Sequence, residues 1–123
     1  MRARLLVPLL LLGFASAAAA VEPRPMSAAD AYALPQPAPH AVLEYGPQPR
    51  HFGELRLPEG RGPFPVAVVV HGGCWLNAYG VEHARGLAAA LRDAGYVVMA
   101  PEYRRVGDAG GGWPATADDL LVA

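Results

Sequence analysis

The run Val66-Ala-Val-Val-Val70 is the segment that most narrows what this chain can become. It is uninterrupted, apolar and β-branched at every position but one. A strand with no polar alternation is one covered on both faces, as in a parallel sheet under helices. A second run of this kind, Tyr96-Val-Val-Met-Ala100, ends at Pro101. Between the two, Val81, Ala84, Leu87, Ala88, Leu91 and Ala94 recur at helical spacing on one face. Glu82, Arg85, Arg92 and Asp93 lie largely off it, and Gly95 stands where a C-terminal cap glycine belongs. Strand, turn, helix, strand makes one βαβ unit. Such units cross over right-handed and align their strands in parallel. The fold class is therefore α/β.

Upstream the pattern differs. Residues 42–45 read as a short strand ended by Gly46-Pro47. Phe52 to Leu57 alternates, Leu55 and Leu57 on one side and Glu54 and Arg56 on the other, the period of a half-exposed strand. Pro58-Glu-Gly-Arg-Gly-Pro63 is a dense turn signal. The sheet thus starts antiparallel and continues with the βαβ unit. Residues 104–112 form a glycine-rich loop. A further helix opens near Thr116, with Thr116 as its expected N-cap and Asp118 and Asp119 in the first turn, where the helix dipole favours acids.

The N-terminus reads as a targeting segment. Met1-Arg-Ala-Arg4 is positive, Leu5 to Ala15 is apolar, and small residues run from Ser16 to Ala20. That order marks residues 1–20 as a secretory signal peptide cleaved after Ala17 or Ala20, and places the mature protein outside the cell or in a periplasm. The apolar core is shorter than the roughly 20 residues of a membrane span, so none is expected once the segment is removed. Residues 21–41 carry Pro23, Pro25, Pro35, Pro37 and Pro39 among alanines and read as a linker, with one helical turn possible from Ser27 to Asp30. The folded part spans residues 42–123. The formal charge of -1 and the absence of a basic run exclude a nucleic-acid partner. One cysteine, Cys74, allows no internal disulfide.

His71-Gly72-Gly73 carries the most chemical information because of its position. It follows a buried strand and precedes a helix, at the sheet edge where open α/β folds place their sites. Two glycines let the backbone turn sharply and aim N–H groups at a developing oxyanion, an arrangement used in lipases and esterases. The other readings are weaker. His71 has no second metal ligand at suitable spacing, and no metal or cofactor is implied. His40, His51 and His83 are scattered and expected in solvent. Gly110-x-Gly112-x-x-Ala115 matches a loose dinucleotide pattern but lies far past its strand and is interrupted by Trp113-Pro114. With no lysine in the chain, no P-loop is possible.

From these residues, the chain resembles the α/β-hydrolase family in its esterase/lipase branch with an HGG-x-W signature, which includes arylformamidase-like and carboxylesterase-like members. The resemblance rests on His71-Gly-Gly-Cys-Trp75 and extends to Tyr45-Gly46, the Leu55–Leu57 strand before a proline, Pro101-Glu-Tyr-Arg104, Trp113-Pro114 and Asp118-Asp119. It implies an oxyanion hole from the N–H groups of Gly72, Gly73 and Cys74. His71 would shape that loop without acting as the catalytic base. Trp75 would pack beneath the loop or line the pocket mouth, and Cys74 would be a small residue in the pocket wall.

A hydrolase of this kind needs a serine in a G-x-S-x-G elbow, then an acid and a histidine. The only serines are Ser16 and Ser27, neither of them flanked by glycines and both before the HGG loop. The expectation is the N-terminal portion of a secreted serine hydrolase acting on a small-molecule ester-like substrate, with the oxyanion loop but no catalytic triad. In that family's strand order the strand leading to the nucleophile would flank Val66–Val70. Without it an apolar edge is exposed, and the chain alone is expected to fold poorly. Two rivals are a non-enzymatic secreted binding module built on this half-fold and a small enzyme using Cys74 as nucleophile.

Overall fold

A computed structural model describes residues 24–123, so the segment 1–20, read from the sequence as a signal peptide, lies outside the described residues. Helix α1 (Ala28–Ala33) begins in a reciprocal capping box: Asp30 N–H donates to Ser27 Oγ, and the Asp30 carboxylate accepts from the Ser27 N–H. Strands β1 (Ala41–Glu44), β2 (Phe52–Arg56), β3 (Val66–Val68) and β4 (Val97–Pro101) form one open sheet in the order β1-β2-β4-β3. β1 and β2 pair antiparallel, as do β2 and β4, while β3 and β4 run parallel. The Val69 N–H extends the parallel ladder by donating to the Met99 carbonyl at 2.8 Å. The antiparallel start and the strand–helix–strand unit read from the sequence are both present.

The crossover between β3 and β4 is a 3₁₀ turn (Val81–Ala84) running into helix α2 (Arg85–Asp93). Helix α2 ends in a Schellman motif: Tyr96 N–H donates to Leu91 O and Gly95 N–H to Arg92 O, with Gly95 at φ +93°. Val81, Ala84 and Ala88 pack with Val69, Val98 and Ala100 in the core, and Phe52 and Leu91 close its border. Leu87 and Ala94, expected on the same face, are exposed. The first turn has three residues per turn, so the later α-helical phase is rotated and swings Leu87 outward.

The apolar edge expected along Val66–Val70 is exposed, and the reading of that run as a strand covered on both faces gives way to it. Val66, Val68 and Val70 are 68%, 65% and 51% exposed, because β3 is the sheet edge and only Ala67 and Val69 turn toward the core-side layer. In β2 the alternation holds but its polarity is reversed. Glu54 and Arg56 are buried and Leu57 is exposed. β2 is an interior strand facing α2, and Arg85 of that helix reaches Glu54 at 2.6 Å while Arg56 reaches it at 2.9 Å. An inward carboxylate is tolerable there because two guanidinium groups satisfy it.

The proline-rich stretch before β1 lies against the sheet. Arg56 Nη1 donates to the Pro37 carbonyl at 2.7 Å, and the His40 N–H donates to Leu55 O at 2.8 Å. Helix α3 (Ala115–Val122) follows the glycine-rich loop. Among the described residues no helix is long and apolar enough to cross a membrane.

Candidate active site

The C-terminal ends of β3 and β4 carry two loops, His71–Tyr79 and Glu102–Gly112, joined at one point like strands. Val106 N–H donates to Trp75 O at 2.8 Å, and Asn77 N–H to Val106 O at 3.1 Å. Three consecutive residues of the first loop have positive φ: Gly73 at +120°, Cys74 at +53° and Trp75 at +55°. Left-handed backbone at two non-glycine residues costs on the order of 1–2 kcal/mol each and persists only where the surroundings enforce it. Gly73 is required twice over, since a Cβ there would lie 2.5 Å from Tyr79 Cβ. Gly72 faces open space. Among the described residues no protein acceptor takes the N–H groups of Gly72, Gly73 or Cys74.

Behind the loop is a buried polar support. His71 is 4% exposed and stacks on Tyr103 with ring centroids 4.4 Å apart and planes 11° apart. The Tyr103 hydroxyl donates to the His71 carbonyl at 2.6 Å. His71 Nε2 lies 3.0 Å from Glu102 Oε1, and the same carboxylate accepts the N–H groups of Tyr103 and Val81. Burial pushes the Glu102 carboxyl up, but the hydrogen bonds from His71, Tyr103 and Val81 together outweigh it and hold the group below its ordinary range. Burial raises the Tyr103 phenol. Arg105, 1% exposed, donates to the Tyr79 carbonyl and lies over the Tyr103 ring. On the far side the Tyr45 hydroxyl donates to the Glu102 carbonyl at 2.6 Å, and burial lifts its pKa to about 12.

In front of the loop is an apolar cavity of about 420 Å³. Cys74 and Trp75 form one wall, and Val106, Trp113, Thr116 and Leu120 are among the residues that complete the lining. Trp75 is 64% exposed and lines this opening instead of packing beneath the loop. Cys74 is an exposed free thiol in the cavity wall. The sequence-selected residues His71, Gly72, Gly73, Cys74 and Trp75 therefore form one continuous feature.

A second cluster joins residues whose meeting the sequence did not show. Asp119 sits in α3 beyond the first turn and is 2% exposed. It accepts from the Arg104 N–H at 2.9 Å, from the Arg104 guanidinium at 2.6 Å and lies 3.0 Å from His51 Nε2. The Arg104 side chain, opposed by burial and assisted by the Arg104 N–H and charge, holds the Asp119 carboxyl below its usual range. His51 is thus packed, stacked on Tyr45 at 5.1 Å, and not in solvent. Thr116 does not cap α3: Pro114 is the N-cap, and Thr116 Oγ1 donates to the Arg104 carbonyl at 2.6 Å. Glu102 and Asp119 stand in segments that carry the resemblance, but their partners gave no local signal, because what matters is the loop each meets across the sheet edge. Ser27, the one serine among the described residues, is engaged in the α1 capping box. Among the described residues no group of three His, Cys, Asp or Glu side chains could hold a metal ion.

The domain thus combines an open α/β sheet with a glycine loop at the end of a parallel strand, beside an apolar cavity. The BD-FAE family model, an α/β-hydrolase-type family, matches residues 54–123, and the chain belongs to that family. No curated protein matches the chain. Among solved structures it is similar to a protein from Silicibacter sp. TM1040 assigned as a thioesterase, at 38% identity and a TM-score of 0.47. That match covers 52% of this chain and 24% of the other, so the chain spans about a quarter of that protein's length.

Proposed function

We propose that the Gly72–Cys74 loop is the oxyanion-binding element of a secreted or periplasmic hydrolase that cleaves carboxylic esters or related acyl bonds. The observation that carries this reading is the set of three N–H groups left without protein acceptors among the described residues, at a left-handed turn beside a cavity of about 420 Å³. Donors fixed before the substrate arrives need no reorganisation as the carbonyl oxygen gains charge. Each such donor contributes on the order of 2.7–4 kcal/mol to transition-state stability. The apolar cavity walls would take the hydrocarbon part of the substrate, with Trp75 and Trp113 at the mouth.

On this reading the attacking serine, its base and its acid are not among residues 24–123. His71 and His51 are each turned to a carboxylate, and Ser27 is held in its capping box. The test compares 4-nitrophenyl butyrate hydrolysis by this chain and by the product of the open reading frame continued past codon 123. The expected result is no turnover by the chain and turnover by a longer product that contains G-x-S-x-G. Turnover by the chain alone, abolished by Cys74→Ala, would overturn the reading in favour of a cysteine nucleophile.

A further inference from the structure

We propose that the proline-rich segment before β1 is a strap that braces the Gly73 turn through a line of rings, Tyr32 to His83 to Tyr79. Tyr32 and His83 are then positioning residues for the Gly72–Cys74 loop. The strap is seated at both ends of its run past α1. Leu34 lies on Gly86 of α2, so closely that a Cβ at Gly86 would stand 2.8 Å from Leu34 Cβ. Further on, the Pro37 carbonyl accepts from Arg56 at 2.7 Å. The Gln36 side-chain amide donates to the Tyr32 carbonyl at 3.0 Å and closes the end of α1. Helix α1 has six residues and none is buried, so it depends on contacts of this kind to hold its place.

From α1 the line runs inward. The Tyr32 ring meets His83 edge-on, with centroids 5.2 Å apart and planes at 76°. His83 meets Tyr79 in the same way, at 5.7 Å and 75°. Both separations suit edge-to-face attraction between rings. His83 Nδ1 is buried with no hydrogen-bond partner among the described residues, so at that atom packing alone holds the ring. Tyr79 then closes on the loop: a Cβ at Gly73 would stand 2.5 Å from Tyr79 Cβ and 2.8 Å from its Cγ and Cδ2. The Tyr79 N–H donates to the Leu76 carbonyl at 3.2 Å, and its own carbonyl accepts from Arg105. Left-handed backbone at Cys74 and Trp75 persists only where the surroundings enforce it. Tyr79 belongs to those surroundings, and His83 and Tyr32 stand behind it. Packed side chains in series carry coupling between separate elements, so whatever lifts the strap loosens the turn. That the braced loop binds an oxyanion rests on the hydrolase reading; the brace itself does not.

The test is a proton–nitrogen NMR correlation spectrum of the full chain labelled with ¹⁵N. The Val68→Lys form serves as a second sample to suppress association through the β3 edge. The Tyr79 side chain covers Gly73, so a displaced Tyr79 ring moves the amide signals of Gly73 and Cys74. Tyr32→Ala should displace both signals. Tyr32→Phe keeps the ring and should leave them at the parent positions. Gly86→Ala attacks the strap from its other anchor. It raises the helix propensity of α2 while its Cβ pushes Leu34 away, and the same two signals should move. Signals unmoved in either folded variant overturn the proposal, and so does a Tyr32→Phe spectrum that matches the alanine form. If Tyr32→Ala does not fold, Gly86→Ala decides alone. Absence of ester hydrolysis would refute the active-site reading and leave these spectra unchanged.

Discussion

Replacing Glu54 by alanine should be among the most damaging single changes in this domain, and replacing Glu54 and Arg56 together should be far milder. Arg56 is fully buried, with Nη2 2.9 Å from Glu54, Nη1 2.7 Å from the Pro37 carbonyl and no partner for Nε among the described residues. Burial pulls its pKa below the usual arginine value, with Glu54 the main opposing influence. Glu54→Ala strands that guanidinium, a change that costs about 3–5 kcal/mol when a buried pair loses one member. A domain of this size has only about 5–15 kcal/mol in total. Arg85 also binds Glu54, but its side chain is 35% exposed and can turn to water, so Arg85→Ala should cost about 1 kcal/mol. Glu54→Leu with Arg56→Met removes both charges and should return to within about 1 kcal/mol of the parent or exceed it. The assay is urea unfolding in a Val68→Lys background, so that edge association does not compete. At a slope of about 1.5 kcal/mol per M, the Glu54→Ala midpoint should fall by about 2–3 M and that of Arg85→Ala by less than about 1 M. A Glu54→Ala midpoint within about 0.5 M of the parent, or a double variant no better than the single, would refute the reasoning.

Gly73→Ala should destabilise by at least about 1–3 kcal/mol, because it places a Cβ at φ +120° against Tyr79, while Gly72→Ala should stay within about 0.5 kcal/mol; thermal unfolding of the pair checks both. The folded-state pKa of Glu102 is depressed, so its contribution is fully present above the ordinary carboxylate value of about 4.3 and is lost as pH falls through the lower folded value. Urea midpoints measured from pH 7 down to pH 3 should therefore drop at the acid end. Glu102→Gln should flatten part of that slope and leave the part due to Asp119, which has the same sign; an unchanged slope would count against the assignment. Val68→Lys should raise the monomer fraction seen by size-exclusion chromatography with light scattering, since it puts a charge on the exposed face of an edge strand. Equal association of the two forms would mean that the edge is not the contact surface.

The sequence by itself determined the order of elements, the parallel pairing of β3 with β4 and the glycine turn at β3's end. Each depends on neighbours in the chain: an apolar run, a helical stripe closed by Gly95, and two glycines after a strand. It also marked every residue of the loop from His71 to Trp75, since that chemistry is contiguous. What it could not rank is which alternating face of β2 turns inward, because Leu55 and Leu57 look like core until Arg85 of α2 arrives to satisfy Glu54. Tertiary structure alone decided that Glu102 supports His71 from 31 residues away, and that Asp119 joins His51 to Arg104 across the sheet edge. A buried carboxylate is stabilised by donors that converge in space from separate elements, and their spacing along the chain carries no record of that meeting.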